Sequence, residues 1–337
     1  APLSDGGGAG DGHHRGAGGV VMKRPRVLIG SCGGLTGSYL TRQFCRRLGC
    51  YVVGADTTDL QVTRHFANDF VRLPAATDPR FYSQLVCCLR EKEIDVYLPT
   101  HSKEIREVAR LEHQLRTDWG GHFLISPYQT YLKLDQKQTA NENLRKAGIP
   151  VPLQYLSPKD VPAYPVFMKP NSGSGSQRAQ PVPTAGLHRE FAAADPDASF
   201  YECIEGTEYT VDCLFDIDGH LVGYNPRIRQ KSMGGAVIVS KNDHSFDIAP
   251  YLQALSSHFL FRGCVNFQYI VRDDIPYFID INLRYASGGL PLTVASGLDI
   301  PRLLLELLDG KVISPLGCCG NDGLTMYRYF DEYFEIT

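Results

Sequence analysis

The hydrophobic pattern of this chain changes character partway along, and that change limits the fold more than any single residue does. From Arg26 the order is strand, glycine turn, helix: an apolar Val27-Leu28-Ile29, the turn Gly30 to Gly34, then an amphipathic stretch through Leu40, Phe44 and Leu48 that Gly49 ends. Tyr51 to Asp56 follows as a second strand. Ile94 to Thr100 leads into a charged helical segment from Lys103 to Leu115, and Phe123-Leu124-Ile125 reads as one more short strand. Strands that alternate with helices predict a parallel, doubly wound sheet up to about residue 125. The next helix has both ends marked: Asp135 can cap it, Gln138 stands three residues later, and Gly148 stops it before Pro150. Beyond it the strands come in pairs. Tyr209 to Phe215 and His220 to Tyr224 flank Asp218-Gly219, and Cys264 to Val271 and Tyr277 to Leu283 flank Asp273-Asp274, both hairpin signals. A last helix runs from the cap Asp299 through Leu303, Leu304 and Leu307 to Gly310.

At 337 residues the chain exceeds what one hydrophobic core usually serves, so two or three subdomains are expected. Its 34 basic and 37 acidic side chains nearly cancel, which gives no electrostatic reason to expect nucleic acid and leaves small molecules as the expected partners. No run approaches the roughly eighteen apolar residues of a membrane span, and no charged-then-apolar leader is visible, so no membrane partner and a cytoplasmic location are expected. A homodimer is compatible with the sequence. The ten cysteines form no CxxC pair and sit mostly in apolar runs, which predicts reduced structural thiols rather than zinc ligands or disulfides. Residues 1–21 repeat glycine without a hydrophobic period and read as a flexible tail or an expression remnant ahead of Met22.

The most informative stretch is Asp280-Ile281-Asn282-Leu283-Arg284. On a strand, residues two apart share a face, so Asp280, Asn282 and Arg284 point one way while Ile279, Ile281 and Leu283 point into a core. The hairpin places Gln268 nearly opposite Asp280. One surface then gathers a carboxylate, two amide oxygens and a guanidinium, which suits magnesium on a polyphosphate; an ordinary polar sheet face is the plain alternative. Phe167-Met168-Lys169-Pro170 opens into Asn171-Ser172-Gly173-Ser174-Gly175-Ser176-Gln177, a loop without bulky side chains that can present backbone amides to phosphate and close over it. Its spacing is not that of a P-loop, and a solvent loop would look similar. In Glu202-Cys203-Ile204-Glu205-Gly206-Thr207-Glu208, Glu202 can accept from an adenine amino group, the backbone near Cys203 and Ile204 can serve the ring edge, and Glu208 can take ribose hydroxyls. The bland reading there is an acidic surface turn.

Taken in order, Lys137 ahead of a helix and Gly-Ile-Pro, Lys169 before a glycine loop, Glu202 to Glu208, Gln268, then Asp280-x-Asn282-x-Arg284 resembles the ATP-grasp superfamily. The likeness is nearest to the carbamoyl-phosphate synthase large-subunit branch and stand-alone amino-acid ligases, and it spans residue 26 to about 330. It implies an α/β plus α+β fold: a Rossmann-like domain over 22–125, a central ATP-grasp subdomain with a glycine-rich lid over 126–205, and a C-terminal subdomain with the metal site over 206–337. It also implies roles. Lys137 and Lys169 hold the nucleotide phosphates, Ser172, Gly173, Ser174, Gly175 and Ser176 form the lid, and Glu202, Cys203, Ile204 and Glu208 meet adenine and ribose. Gln268, Asp280 and Asn282 match magnesium positions, and Arg284 matches the residue that steadies the transferred phosphoryl group. Two departures stand out: glutamate is usual where Asp280 stands, and Gln268 brings no charge where many relatives have a carboxylate.

The implied chemistry is ATP-dependent ligation, in which a carboxylate becomes an acyl phosphate and an amine displaces phosphate, with ATP and Mg2+ as cofactors. Small carboxylate and amine molecules are the expected substrates, an amino acid among them. Acceptor selection is expected to involve Arg227, Arg229, Gly234 and Gly235, and the turn with Ser287 and Gly288, although those cations read equally as solvated. Two rivals remain: an NAD-dependent oxidoreductase, suggested by Gly30 to Gly37 with Asp56, and a non-catalytic ATP-binding protein. The first fails in detail, because GxGxxG from Gly30 would need glycine at Cys32 and Leu35.

Overall fold

A computed structural model describes residues 24–171, 178–234 and 236–336. Three sheets are present among these residues. The first is parallel: β1 (Arg26–Ile29), β2 (Tyr51–Asp56), β3 (Asp69–Arg72) and β4 (Val96–Leu98) lie in the order β3-β2-β1-β4. Helix α1 (Leu35–Arg42) connects β1 to β2 and α2 (Phe81–Glu91) connects β3 to β4. The chain leaves β1 toward one edge and returns on its other side at β4, so the loops after these two strands part and open a crevice at their carboxyl ends. Into that crevice run α1 and α3 (Ser102–Arg110), followed by α4 (Glu112–Asp118), α5 (Tyr128–Leu134) and α6 (Lys137–Lys146).

The second sheet, antiparallel, orders β5 (Gln154–Tyr155), β6 (Val166–Pro170), β7 (Gln180–Val182) and β8 (Ala198–Glu202) as β5-β8-β6-β7, with α7 (Ala185–Ala194) between β7 and β8. The third is built from β9 (Thr207–Phe215), β10 (Leu221–Met233), β11 (Ala236–Asn242), β12 (Gly263–Arg272), β13 (Ile275–Asn282), β14 (Gly317–Cys318) and β15 (Thr325–Tyr327). Its order is β13-β12-β9-β10-β11-β15, with β14 on β10. Helix α8 (Ala249–His258) precedes β12, and α9 (Leu290–Ala295) and α10 (Ile300–Leu308) follow β13. The β12–β13 turn has Asp273 and Asp274 at φ of 53° and 59°, the paired left-handed conformation of a tight hairpin.

Alternation along the third sheet decides its packing. Tyr209, Val211, Cys213 and Phe215 of β9 and Val265, Phe267 and Tyr269 of β12 share one core with Leu252 and Leu255 of α8, and that core continues to Leu28, Val53 and Tyr97 of the parallel sheet. A second core joins Val27, Ile29 and Val52 to Leu303, Leu304 and Leu307 of α10. The middle sheet has its own small core of Val166, Met168, Val182 and Phe200. At about 1.5–3 kcal/mol per buried side chain, that cluster anchors its sheet far less firmly than the shared cores anchor theirs. Among the described residues no helix is long and apolar enough to cross a membrane.

Four local expectations change. Asp135 does not cap the helix that starts at Lys137; it closes α5 and pairs with Arg106 at 3.0 Å. The first amides of α6 go instead to Asn171, whose carbonyl accepts from Lys137 N and whose side chain accepts from Gln138 N at 2.8 Å. The segment Lys103 to Leu115 breaks at Leu111 into α3 and α4, and Phe123 to Ile125 contributes only a bridge from the preceding His122 to Val96. Finally, Ile279 does not join the core. The β12–β13 register shifts between Gln268 and Tyr269, so Ile279 and Asp280 together face Gln268 and Ile279 turns partly outward, while Ile281 and Leu283 stay buried.

Candidate functional site

The face of the third sheet opposite its core is polar, and the strand register arranges it in rows. Asp280, Gln268, Thr210 and Arg227 stand side by side across β13, β12, β9 and β10, with Asn282, Asn266, Asp212 and Asn225 as the adjacent row. With about 4.8 Å between strands, the oxygens of neighbouring side chains in a row fall within reach of one ion or one phosphate. The fold thus brings Gln268 and Asp280 opposite each other, and Asn282 donates from Nδ2 to Asp280 Oδ2 at 3.1 Å.

Cations from three other places converge on this face. Lys137 at the start of α6 forms an ion pair with Asp280. Lys169 leaves β6 on the side away from Val166 and Met168, lies 4.4 Å from the centre of the Tyr201 ring, and donates to the Ile279 carbonyl at 2.8 Å. The bulge at Ile279 therefore supplies this contact. Burial brings the Lys169 pKa down to about 8, with Asp280 opposing and Lys137 reinforcing the shift. For Asp280 burial pushes upward, but the charge and hydrogen bond of Lys137, then Lys169 and Asn282, hold the carboxylate below its ordinary value. Arg284 donates from Nε to Ser102 Oγ and from Nη1 to the Tyr285 carbonyl, each at 2.8 Å. Burial lowers its pKa while Asp280 opposes that shift.

Lys137, Lys169, Asp280, Asn282, Arg284 and Gln268 all line one cleft of about 1570 Å³. Lys169 and Arg284 thus open into the same space. At one end lie Glu202, Cys203, Ile204 and Glu208. Their carboxylates have protein partners: Glu202 accepts from Arg272 Nη1, and Glu208 from Arg229 Nη1, each at 2.9 Å. Arg227, expected among substrate-facing cations, is 2% exposed and grips Asp212 through Nε at 3.0 Å and Nη2 at 3.2 Å, so it is a buried ion rather than a solvated one. Gly289 rests against it, and a Cβ there would lie 2.1 Å from Nη2. Gly234 and Ser287 are exposed, and Gly288 is buried with φ of 83°. The expected lid residues Ser172 to Ser176, and Gly235, lie outside the described residues.

The other end of the cleft comes from the parallel sheet, where the sequence offers only the dinucleotide-like pattern of Gly30 to Gly37 with Asp56. Ser31 and Gly33 to Gly37 after β1 face Thr100 to Glu104 after β4 across the crevice. Gly37 must lack a side chain, since a Cβ would come within 2.6 Å of Ser31 O and Cys32 Cα. Asp56, the residue a dinucleotide site would offer to ribose, instead accepts from Gly33 N at 2.8 Å and Thr57 N at 2.7 Å. Glu104 is buried and accepts from Tyr97 OH at 2.5 Å and Ser31 Oγ at 2.7 Å. Burial raises its pKa above the ordinary 4.5, the two hydroxyls oppose this, and Asp56 adds to it. The folded protein therefore holds this proton more tightly than the unfolded chain. The associated stability is present below pH 4.5 and is lost as pH rises through the raised value. Glu104→Gln should remove that loss, so its melting temperature relative to the parent should climb as pH increases from 4.5 toward neutrality; a constant difference across thermal melts would refute the assignment.

Comparison with known proteins bears on the whole arrangement. No curated protein matches the sequence significantly. Residues 196–317 match the model of a family described as ATP-grasp in the biosynthetic pathway with Ter operon. Among solved structures, N5-carboxyaminoimidazole synthetase from Staphylococcus aureus in complex with ADP is 14% identical at a TM-score of 0.68, covering 86% of this chain and 78% of that one. The L-amino acid ligase from Bacillus licheniformis is 16% identical at 0.64, covering 85% and 74%. The biotin carboxylase domain of 2-oxoglutarate carboxylase from Hydrogenobacter thermophilus, solved with MgADP, ADP and bicarbonate, is 16% identical at 0.65, covering 86% and 70%. The chain therefore shares the fold of these structures, and its match to the family model covers the strands that carry the polar face.

Proposed function

We propose that this chain is an ATP-dependent carboxylate–amine ligase that forms an acyl phosphate from a small carboxylate, an amino acid being the favoured class, and then an amide, releasing ADP and phosphate. One observation carries the reading: Lys137, Lys169, Arg284 and the oxygen donors Gln268, Asp280 and Asn282 line a single cleft between the sheets. The resemblance of the fold to proteins solved with ADP or MgADP supports it. Asp280, Asn282 and Gln268 are a hard-oxygen donor set in register on one face, which fits magnesium. When bound there, the ion neutralises phosphate charge.

Lys137 exchanges its bond to Asp280 for phosphate oxygens, and Lys169, desolvated and held by the Ile279 carbonyl, faces the same oxygens. A bound triphosphate favours the charged form of Lys169. The adenine end lies along Glu202, Cys203 and Ile204, with Glu208 toward ribose; the expected lid, residues 172–176, lies outside the described residues. Arg284 faces the transferred phosphoryl group and the acyl phosphate. The acceptor lies toward Arg229, Gly234, Ser287 and Gly288, over a floor that Arg227 keeps rigid. No side-chain nucleophile is required, because the phosphoryl group passes directly between substrates.

Two experiments test this. Mg-ATP at a hundred times its dissociation constant should stabilise the protein by about 2.7 kcal/mol in a thermal-shift assay, and NAD should not. The opposite ranking would favour an oxidoreductase. Amino acids offered singly and in pairs with Mg-ATP should then release phosphate only with a defined pair, with product mass reporting the amide. AMP and pyrophosphate would indicate adenylation instead, and binding without turnover would indicate a non-catalytic nucleotide receptor.

A further inference from the structure

The turn that follows Arg284 is tied down from three directions. Thr36 Oγ1, in the first turn of α1, donates to the Ala286 carbonyl at 3.2 Å. The Arg227 guanidinium packs beneath Gly289. From the remaining side, Arg328 donates through Nη2 to the Gly288 carbonyl at 2.7 Å and through Nε to the Val237 carbonyl at 3.3 Å, while its own N–H donates to the Ile238 carbonyl at 2.8 Å. Two carbonyls from two different segments are thus bridged by one planar fork, a task a lysine ammonium performs poorly.

Arg328 directly follows β15, which adds to the edge of the third sheet beside β11. The chain then crosses to the parallel-sheet side of the molecule. Tyr333 stacks on His65 with ring centres 4.5 Å apart and meets Phe66 edge-on at 6.2 Å, and Glu335 pairs with Arg64 at 3.8 Å and His65 at 3.5 Å. Those partners follow closely on Gln61, which lines the cleft beside Gly33. The exposed ion pairs are individually weak, but the aromatic contacts give the segment a definite seat. Residues 325–336 therefore touch both walls of the acceptor end, whereas Arg328 bonds to Val237, Ile238 and Gly288 and, among the described residues, to none of Lys137, Lys169, Glu202 or Ile204.

We propose that residues 325–336 form a strap, and that Arg328 is a positioning residue that fixes the Ala286–Gly289 turn so that the acceptor, not the nucleotide, is held in place. The proposal rests on the ligase reading only for the identity of what the turn faces; the clamp itself is tested without it. Amide hydrogen exchange across residues 286–289 is compared in the full chain, Arg328→Met, Arg328→Lys and Tyr333→Ala. Loss of a charge-assisted bond should speed exchange in the turn about ten-fold or more in Arg328→Met, with partial recovery in Arg328→Lys and a smaller increase in Tyr333→Ala. With the amino-acid pair that supports phosphate release, the acceptor KM should rise about ten-fold in Arg328→Met while the KM for ATP stays unchanged. Unaltered exchange in the turn, or a KM for ATP that rises in step with that of the acceptor, overturns the proposal. If the parent protein turns over no pair, the ligase reading fails and the exchange result alone decides the clamp. Should Arg328→Met not fold, the lysine and Tyr333 variants carry the same comparison.

Discussion

Arg284→Ala should lower turnover about 10²- to 10³-fold, the usual cost of losing one preorganised group aimed at developing charge. The geometry explains why the loss should be large. Two bonds, to Ser102 Oγ and to the Tyr285 carbonyl, fix the plane of the guanidinium before any substrate arrives. The group therefore needs no reorganisation at the moment of transfer. Its partial burial lowers the local dielectric, which strengthens its attraction for phosphoryl oxygens relative to a solvated arginine. Arg284→Lys should restore only part of the activity, because a single ammonium cannot keep both anchoring bonds and still offer a planar pair of donors. Mg-ATP should still raise the melting temperature of Arg284→Ala, since Lys137, Lys169 and the oxygen donors remain. Steady-state phosphate release together with thermal shift checks both statements, and near-native turnover in the alanine variant would remove Arg284 from the mechanism.

The parts of this site that follow a simple period were legible in the sequence. Asp280, Asn282 and Arg284 share a face because strand side chains alternate, and the Asp273-Asp274 turn sets a register that by itself puts Gln268 opposite Ile279, one residue short of Asp280. The bulge at Ile279 was not legible. Ile279 continues an apolar alternation with Ile281 and Leu283, and only the pairing with β12 reveals the extra residue whose carbonyl receives Lys169. Capping of α6 by Asn171 was hidden for a related reason: the cap comes from the far side of β6, while Asp135 offers a plausible local substitute. Glu104 went unremarked because it sits in a charged helical run, where one acid among several gives no sign of facing a crevice. Arg227 was placed near the substrate by its neighbours Arg229 and Gly234; the hairpin signal at Asp218-Gly219 pairs its strand with that of Asp212, but the expected strand ends at Tyr224, three residues short of Arg227.

That buried pair carries the largest expected effect on stability. Arg227 is 2% exposed and Asp212 3%, and Thr293 Oγ1 donates to Asp212 at 2.5 Å, so the carboxylate has protein partners on more than one side. Asp212→Asn leaves a guanidinium in the sheet without its counter-charge, and Arg227→Met leaves a carboxylate with little besides Thr293. Each should cost about 3–5 kcal/mol, far above the roughly 0–1 kcal/mol typical of solvent-exposed ion pairs. Replacing both charges, as in Asp212→Asn with Arg227→Met, should cost much less than the sum, since no charge is stranded and the methionine can still fill the space under Gly289. Urea denaturation of the two single variants and the double variant measures this coupling directly. A strictly additive result would mean that the two groups are solvated independently and that the floor beneath the acceptor turn is held by something else. A strongly non-additive one would separate support from binding: a double variant that folds well yet fails to use its acceptor would place Arg227 in recognition, whereas full activity would leave it as the beam on which Gly289 rests.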